Sequence, residues 1–138
     1  MTPNEPPGGD AHGVVTIKSP HPFADTVERL KTALHAKSIK LFASIDQQSE
    51  ATAVGLQMPP TVLLIFGNPK GGTPLMVARP LSGLDLPLKA LISEARPGEV
   101  LVSVNSAEYL IHRHDLPAEF LANLAPIEQL IRNTLSAV

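Results

Sequence analysis

The chain has 138 residues, 43% of them hydrophobic, with 11 Lys plus Arg against 13 Asp plus Glu. That length fits a single domain able to bury a core of its own, and a net charge of −2 argues against a nucleic-acid partner or an anionic membrane surface, both of which call for a basic surplus. The lack of cysteine excludes disulfides, thiolate nucleophiles and zinc–thiolate sites.

The Pro- and Gly-rich residues 1–12 read as a flexible tail ahead of one domain over 13–138. They lack the basic and apolar regions of a secretory signal, so the cytoplasm is the expected location. Val14–Lys18 is β-branched and reads as a first strand, broken by Ser19-Pro20-His21-Pro22. Phe23, Val27, Leu30 and Leu34 then recur at helical spacing, which predicts a helix over Phe23–Lys37. Ile39–Asp46 is expected to be a strand, and Gln47–Pro60 a connection with one helical turn near Glu50–Val54. His12, His21 and His35 are expected to face solvent.

Thr61–Phe66 is a dense apolar run bounded by turn residues, as in a strand buried on both faces. Its continuous apolar core, Val62–Phe66, is far too short to span a bilayer. Gly67-Asn68-Pro69-Lys70-Gly71-Gly72 is rich in turn formers, with a short helix expected from Pro74 to Arg79 after a Thr73 cap. Leu86–Glu94, with an edge proline at Pro87, and the alternating Glu99–Asn105 predict an antiparallel hairpin about Arg96-Pro97-Gly98. His112 and His114 are expected on one face of a strand. Leu116 to the end is helical in spacing, with a kink or split at Pro126. The fold class implied is α+β: a single compact domain with a mixed or antiparallel sheet, opened by a βαβ crossover, and helices on one face.

Three groups of residues carry candidate chemistry. The loop Phe66–Pro74 joins a strand to a helix N-terminus, where free backbone N–H groups and Lys70 would attract an anion. Its spacing is not that of a phosphate-binding P-loop, and a plain glycine turn competes with that reading. His112 and His114 suit a two-imidazole metal site, although no third ligand is identifiable. Asp115 would cap the last helix in a purely structural alternative. Asp85 and Lys89, four residues apart, would orient a ligand in a cleft or form a surface ion pair.

Phe66-Gly67-Asn68-Pro69-Lys70, Gly72-Thr73-Pro74-Leu75-Met76, Asp85-Leu86-Pro87-Leu88-Lys89 and Arg113-His114 resemble the bacterial and archaeal family called domain of unknown function 302. Thr26-Val27, Arg29-Leu30-Lys31 and Ile45-Asp46 are similar too, and the resemblance runs from about His12 to the C-terminus. It implies a strand–helix–four strands–helix domain that forms dimers, with no settled activity and no named cofactor. Asn68, Asp85, Lys89, Arg113 and His114 match the family pattern and so are the residues of an implied shared site. Gln47 stands where such sequences commonly have histidine, and Val104 where they commonly have tyrosine.

The leading expectation is a homodimer that binds a small anionic metabolite through Asn68, Lys70, Asp85, Lys89, Arg113 and His114. The alternatives are a haem or metal protein using His114 or His112, and an enzyme with His114 as acid–base, oriented by Asp85 or Asp46. A fourth is a structural dimerisation module.

Overall fold

The computed structural model describes residues 10–137. In chain order the elements are β1 (Val14–Ser19), α1 (Phe23–Ala36), β2 (Lys40–Asp46), α2 (Gln47–Ala53), β3 (Thr61–Gly67) and α3 (Pro69–Ala78). A 3₁₀ turn (Pro80–Leu84) leads into β4 (Leu88–Arg96), β5 (Glu99–Asn105) and α4 (Ala107–Arg113). A second 3₁₀ turn (Ala118–Phe120), α5 (Leu121–Leu124) and α6 (Pro126–Ser136) complete the chain. The fold is α+β, with five strands in the order β1-β5-β4-β3-β2, each antiparallel to its neighbour. The opening strand–helix–strand is therefore not a local crossover, because β1 and β2 form the two opposite edges. No helix among the described residues is long and apolar enough to cross a membrane.

Alternation along the strands builds the core. Val62, Leu64 and Phe66 of β3, Ala90 and Ile92 of β4, and Val100, Val102 and Val104 of β5 point to one face. Val27, Leu30 and Leu34 of α1 and Ile131 and Leu135 of α6 pack there. A smaller cluster of Leu75, Leu110, Leu116 and Leu124 joins α3, α4 and α5. Hydroxyls buried beside the main core are paired: Ser19 Oγ lies 2.7 Å from Thr26 Oγ1, which also bonds Pro22 O at 2.9 Å. His21 is not solvent-facing as expected, since its Nε2 lies 2.9 Å from Leu135 O and ties the start of α1 to α6.

Several boundaries differ from the sequence expectation, each for a local reason. α3 starts at Pro69 because Asn68 caps it and Pro69, which has no N–H to lose, takes the first helical position. The expected glycine loop is thus helical, and Pro74 lies inside the helix. α2 covers Gln47–Ala53 because Asp46 caps it, its side chain accepting from Ser49 N at 2.9 Å. That bond holds the Asp46 carboxyl below the usual carboxylate range. β4 begins at Leu88 rather than Leu86, since Pro87 has no N–H to give a ladder. Pro126 does split the last helix, as expected, and opens α6 at its first position.

Of the expected tail, residues 1–9 lie outside the described residues. Asp10 closes a turn, its side chain accepting from His12 N and Val14 N at 2.8 and 2.9 Å. Gly13 follows at φ +77, and its carbonyl accepts Ser106 N at 2.8 Å. A Cβ at Gly13 would sit 2.2 Å from the Tyr109 ring. Gly13→Ala combines that clash with left-handed backbone, so it should destabilise the fold by about 2–4 kcal/mol. Urea unfolding checks this; a loss below about 0.5 kcal/mol would contradict the packing of Tyr109 on the entry turn.

Candidate functional site: a cleft at the end of strand β3

The largest concavity lies where β3 gives way to α3. Ladder pairing ends at Gly67, whose partner is Lys40 at the start of β2. In β2 the register shifts between Leu41 and Ala43, leaving Phe42 as an extra, half-exposed residue beside Gly67. Lys40 Nζ rides 4.8 Å above the Phe42 ring, a cation–π contact. Asn68 turns the chain into α3, which supplies Gly71, Gly72, Thr73 and Met76. Leu86, Pro87 and Leu88 form one wall, and Leu124, Pro126 and Ile127 from α5 and α6 form another.

The enclosed volume is ≈ 510 Å³, within the range of small-molecule sites. The lining is aliphatic and aromatic, with three polar side chains: Asn68, Thr73 and Asn123. Asn123 Nδ2 donates to Gly71 O at 2.9 Å and fixes α5 against α3. No ionised side chain lines the cleft.

The expected anion cradle is not there. Lys70 N is bonded to Asn68 Oδ1 at 2.9 Å, and Gly71 N and Gly72 N both reach Asn68 O at 2.9 Å. Pro69 has no N–H, so the first turn of α3 keeps no free donor from those four residues for an anion. The Lys70 side chain is exposed and does not line the cleft.

The six expected site residues fall into separate places. Asn68 is at the cleft. Asp85, Arg113 and His114 meet each other elsewhere, Asp85 Oδ2 accepting from Arg113 Nη1 at 2.8 Å and lying 2.5 Å from His114 Nε2. The His114 and Asp85 side chains are 6% and 14% exposed, while Arg113 is 46% exposed. His114 stands at the C-cap of α4, its backbone N–H bonding Leu110 O at 3.2 Å. Together the three latch the turn Pro80–Leu84 to α4 over Leu75, Leu110, Leu116 and Leu124. No water-sized space remains beneath Asp85 and His114, among Leu75, Ser82, Leu86 and Leu110, while Arg113 is exposed on the outer side; the three groups tie the turn to α4. Lys89 stands apart, with Nζ donating to Pro87 O at 3.2 Å.

The metal expectation fails on secondary structure. His112 lies in the last turn of α4 and His114 just beyond it, not on a strand. Residues two apart on a helix point to roughly opposite sides. No group of three His, Cys, Asp or Glu among the described residues could hold a metal ion. Gln47 begins α2 after the far end of β2, seven positions from Lys40 of the Lys40–Gly67 pair. At about 3.4 Å per residue that is roughly 24 Å along the strand from that pair. Val104 packs in the core on the helix-covered face. Sequence reasoning missed Phe42, Met76, Leu86, Asn123 and Ile127; four of them were marked only by an apolar character shared by the whole core, and Asn123 by no local signal.

This is a small α+β domain with a cleft at one end of its sheet, and it belongs to the family described as "Domain of unknown function DUF302", matched over residues 15–138. The crystal structure of an uncharacterized conserved DUF302 protein from Bacillus stearothermophilus superposes with a TM-score of 0.75. It is 20% identical and covers 91% of this chain and 97% of that one. Among curated proteins, the chain is 41% identical over 104 residues to "Fluoride-specific ion channel FluC 1" of Brucella suis biovar 1, strain 1330. The match covers 75% of this chain and 41% of that protein. The same identity and length relate it to "Fluoride-specific ion channel FluC 1" of Brucella abortus biovar 1, strain 9-941, of which 38% is covered. The chain thus spans about two-fifths of these relatives.

Asp85→Ala would leave His114 buried without its partner and free the turn from α4. It should destabilise the protein by about 3 kcal/mol while leaving the cleft walls in place. Thermal unfolding of this variant, with ligand uptake measured below its melting point, checks both halves. Loss of uptake without loss of stability would contradict the structural role.

Proposed function

We propose that the protein is a homodimeric binding protein for a small, predominantly apolar molecule with one hydrogen-bonding end, held in the cleft between β2, α3 and α6. The observation that carries the reading is the ≈ 510 Å³ cleft walled by Phe42, Met76, Leu86, Leu88 and Ile127, with amides at Asn68 and Asn123. Apolar walls supply affinity by removing ligand surface from water. A few polar groups fix the orientation of the ligand. The absence of ionised lining residues disfavours a highly charged ligand, which would lose hydration without gaining a counter-charge.

Gly72 offers a clean test. It lines the cleft, and a Cβ placed there meets nothing within 4 Å. Gly72→Phe should fold and fill the cleft. With the neutral fluorophore N-phenyl-1-naphthylamine as probe, the unaltered chain should bind saturably and Gly72→Phe at least 10-fold more weakly. Equal binding by both would place the probe elsewhere and remove the support for this site.

A second reading follows from the 41% identity to proteins named fluoride-specific ion channels, of which the chain spans about two-fifths. On that reading the protein acts alongside a fluoride channel as an accessory domain. Loss of the gene should then lower growth in millimolar fluoride, and unchanged growth would contradict it.

A further inference from the structure

Strand β3 is apolar on both faces, and α1 and α6 cover only one. The ladder register defines the other. Leu91 of β4 faces Leu63 of β3, which faces Ile45 of β2. Ile65 lies between Lys89 and Ala43, and Leu101 of β5 faces Ser93, diagonal to Leu91. Ile45, Leu63, Ile65, Leu91 and Leu101 therefore share one patch, and none of them joins either core cluster. A sheet face made to meet water would alternate to polar residues here, as β1 does with Thr16 and Lys18.

We propose that this face is the surface on which a second copy of the chain docks, the two sheets stacking face to face. The inference rests on the homodimer reading and names the surface that makes it. Five strands at about 4.8 Å spacing, each about 20 Å long, give a face of roughly 500 Å². Two such faces bury roughly 1,000 Å² before side-chain relief is counted, enough for a specific interface. The chemistry suits a copy of itself. The apolar centre is ringed by Thr16, Thr61, Ser93 and Ser103, neutral hydroxyl groups that a two-fold copy would meet without burying a charge, and of which Thr16 and Ser103 already pair within the chain at 3.1 Å. Glu99, which alternates with Leu101 and Ser103, brings one acidic residue to the hairpin end of the face, paired with Arg96 across the ladder. Its cations stay at the perimeter: Lys18 on edge strand β1, Lys40 at the start of edge strand β2, and Lys89 and Arg96 at the two ends of β4. Stacking there leaves α1, α6 and the helix-side wall of the cleft free.

The test is the solution mass of the full chain by sedimentation equilibrium, with two variants. The unaltered protein should be a dimer of the 14.7 kDa chain. Leu91→Glu places a charge at the centre of the patch without entering the core, and should raise the dimer dissociation constant at least 100-fold while the far-ultraviolet circular dichroism is unchanged. Val77→Glu, on the 77%-exposed surface of α3, should leave the dimer intact. A monomeric unaltered protein overturns both this inference and the homodimer reading. A dimer that survives Leu91→Glu but falls apart with Val77→Glu overturns only the assignment of the face. Should Leu91→Glu not fold, the lack of native cysteine allows a single spin label at Ser93→Cys. A label-to-label distance under about 30 Å supports the stacked sheets, and a longer one overturns them.

Discussion

Burial of Val62, Leu64 and Phe66 on the helix-covered face of β3 is the contact on which the other elements depend. These side chains are 0–7% exposed, and each such residue contributes about 1.5–3 kcal/mol by leaving water. They hold α1 and α6 against the sheet, and with those helices in place the end of β3 has only one way out. The chain turns at Asn68, and α3 rises past Phe42 and Ile127 to enclose the cleft. The site is thus a by-product of how a well-packed strand ends. The same strand has a second apolar face that no helix covers, so the fold is satisfied on one side and unfinished on the other.

The residues that look most chemical tie two elements together here. Asp85, Arg113 and His114 combine a carboxylate, a guanidinium and an imidazole in contact, a set that would suit acid–base chemistry in a cleft. Asp85 and His114 lie against a leucine layer that leaves no water-sized space beneath them, and Arg113 faces outward. Removing one partner of such a group costs more than the group contributes as a whole, so a clamp of this kind resists change even where it catalyses nothing. The cleft has the opposite character, with little charge and much apolar surface. The two lie on different sides of the α3–3₁₀ segment, joined through Leu75, Leu86 and Leu124.

The architecture was legible wherever a single period ran unbroken. Phe23, Val27, Leu30 and Leu34 marked α1, and Val100, Val102 and Val104 marked β5 with the correct face inward. Thr61–Phe66 read as a strand buried on both faces, whereas only Val62, Leu64 and Phe66 are buried and Thr61, Leu63 and Ile65 on the other face are partly exposed, because the helices pack on one side alone. Helix starts were less legible, because Asn68 and Thr73 are both good caps and Pro69 and Pro74 both good first residues. The earlier pair wins when the backbone N–H groups of Gly71 and Gly72 close onto Asn68. The Asp85–His114 contact spans 29 residues, so local sequence spacing did not reveal its structural role. The resemblance grouped these residues as a site, whereas the coordinates group them as a clamp. The cleft was the least legible part: it needs a bulge at Phe42 and the meeting of four elements, and neither leaves a local pattern.

The central claim is that the working surface is the apolar cleft and not the charged cluster. Amide chemical-shift mapping with saturating N-phenyl-1-naphthylamine tests it most directly. The account predicts that the largest shifts fall on Gly67, Gly71, Gly72, Thr73, Leu88 and Ile127, with Asp85, Arg113 and His114 nearly unmoved. Shifts centred on Asp85, Arg113 and His114, with the cleft residues silent, would contradict it.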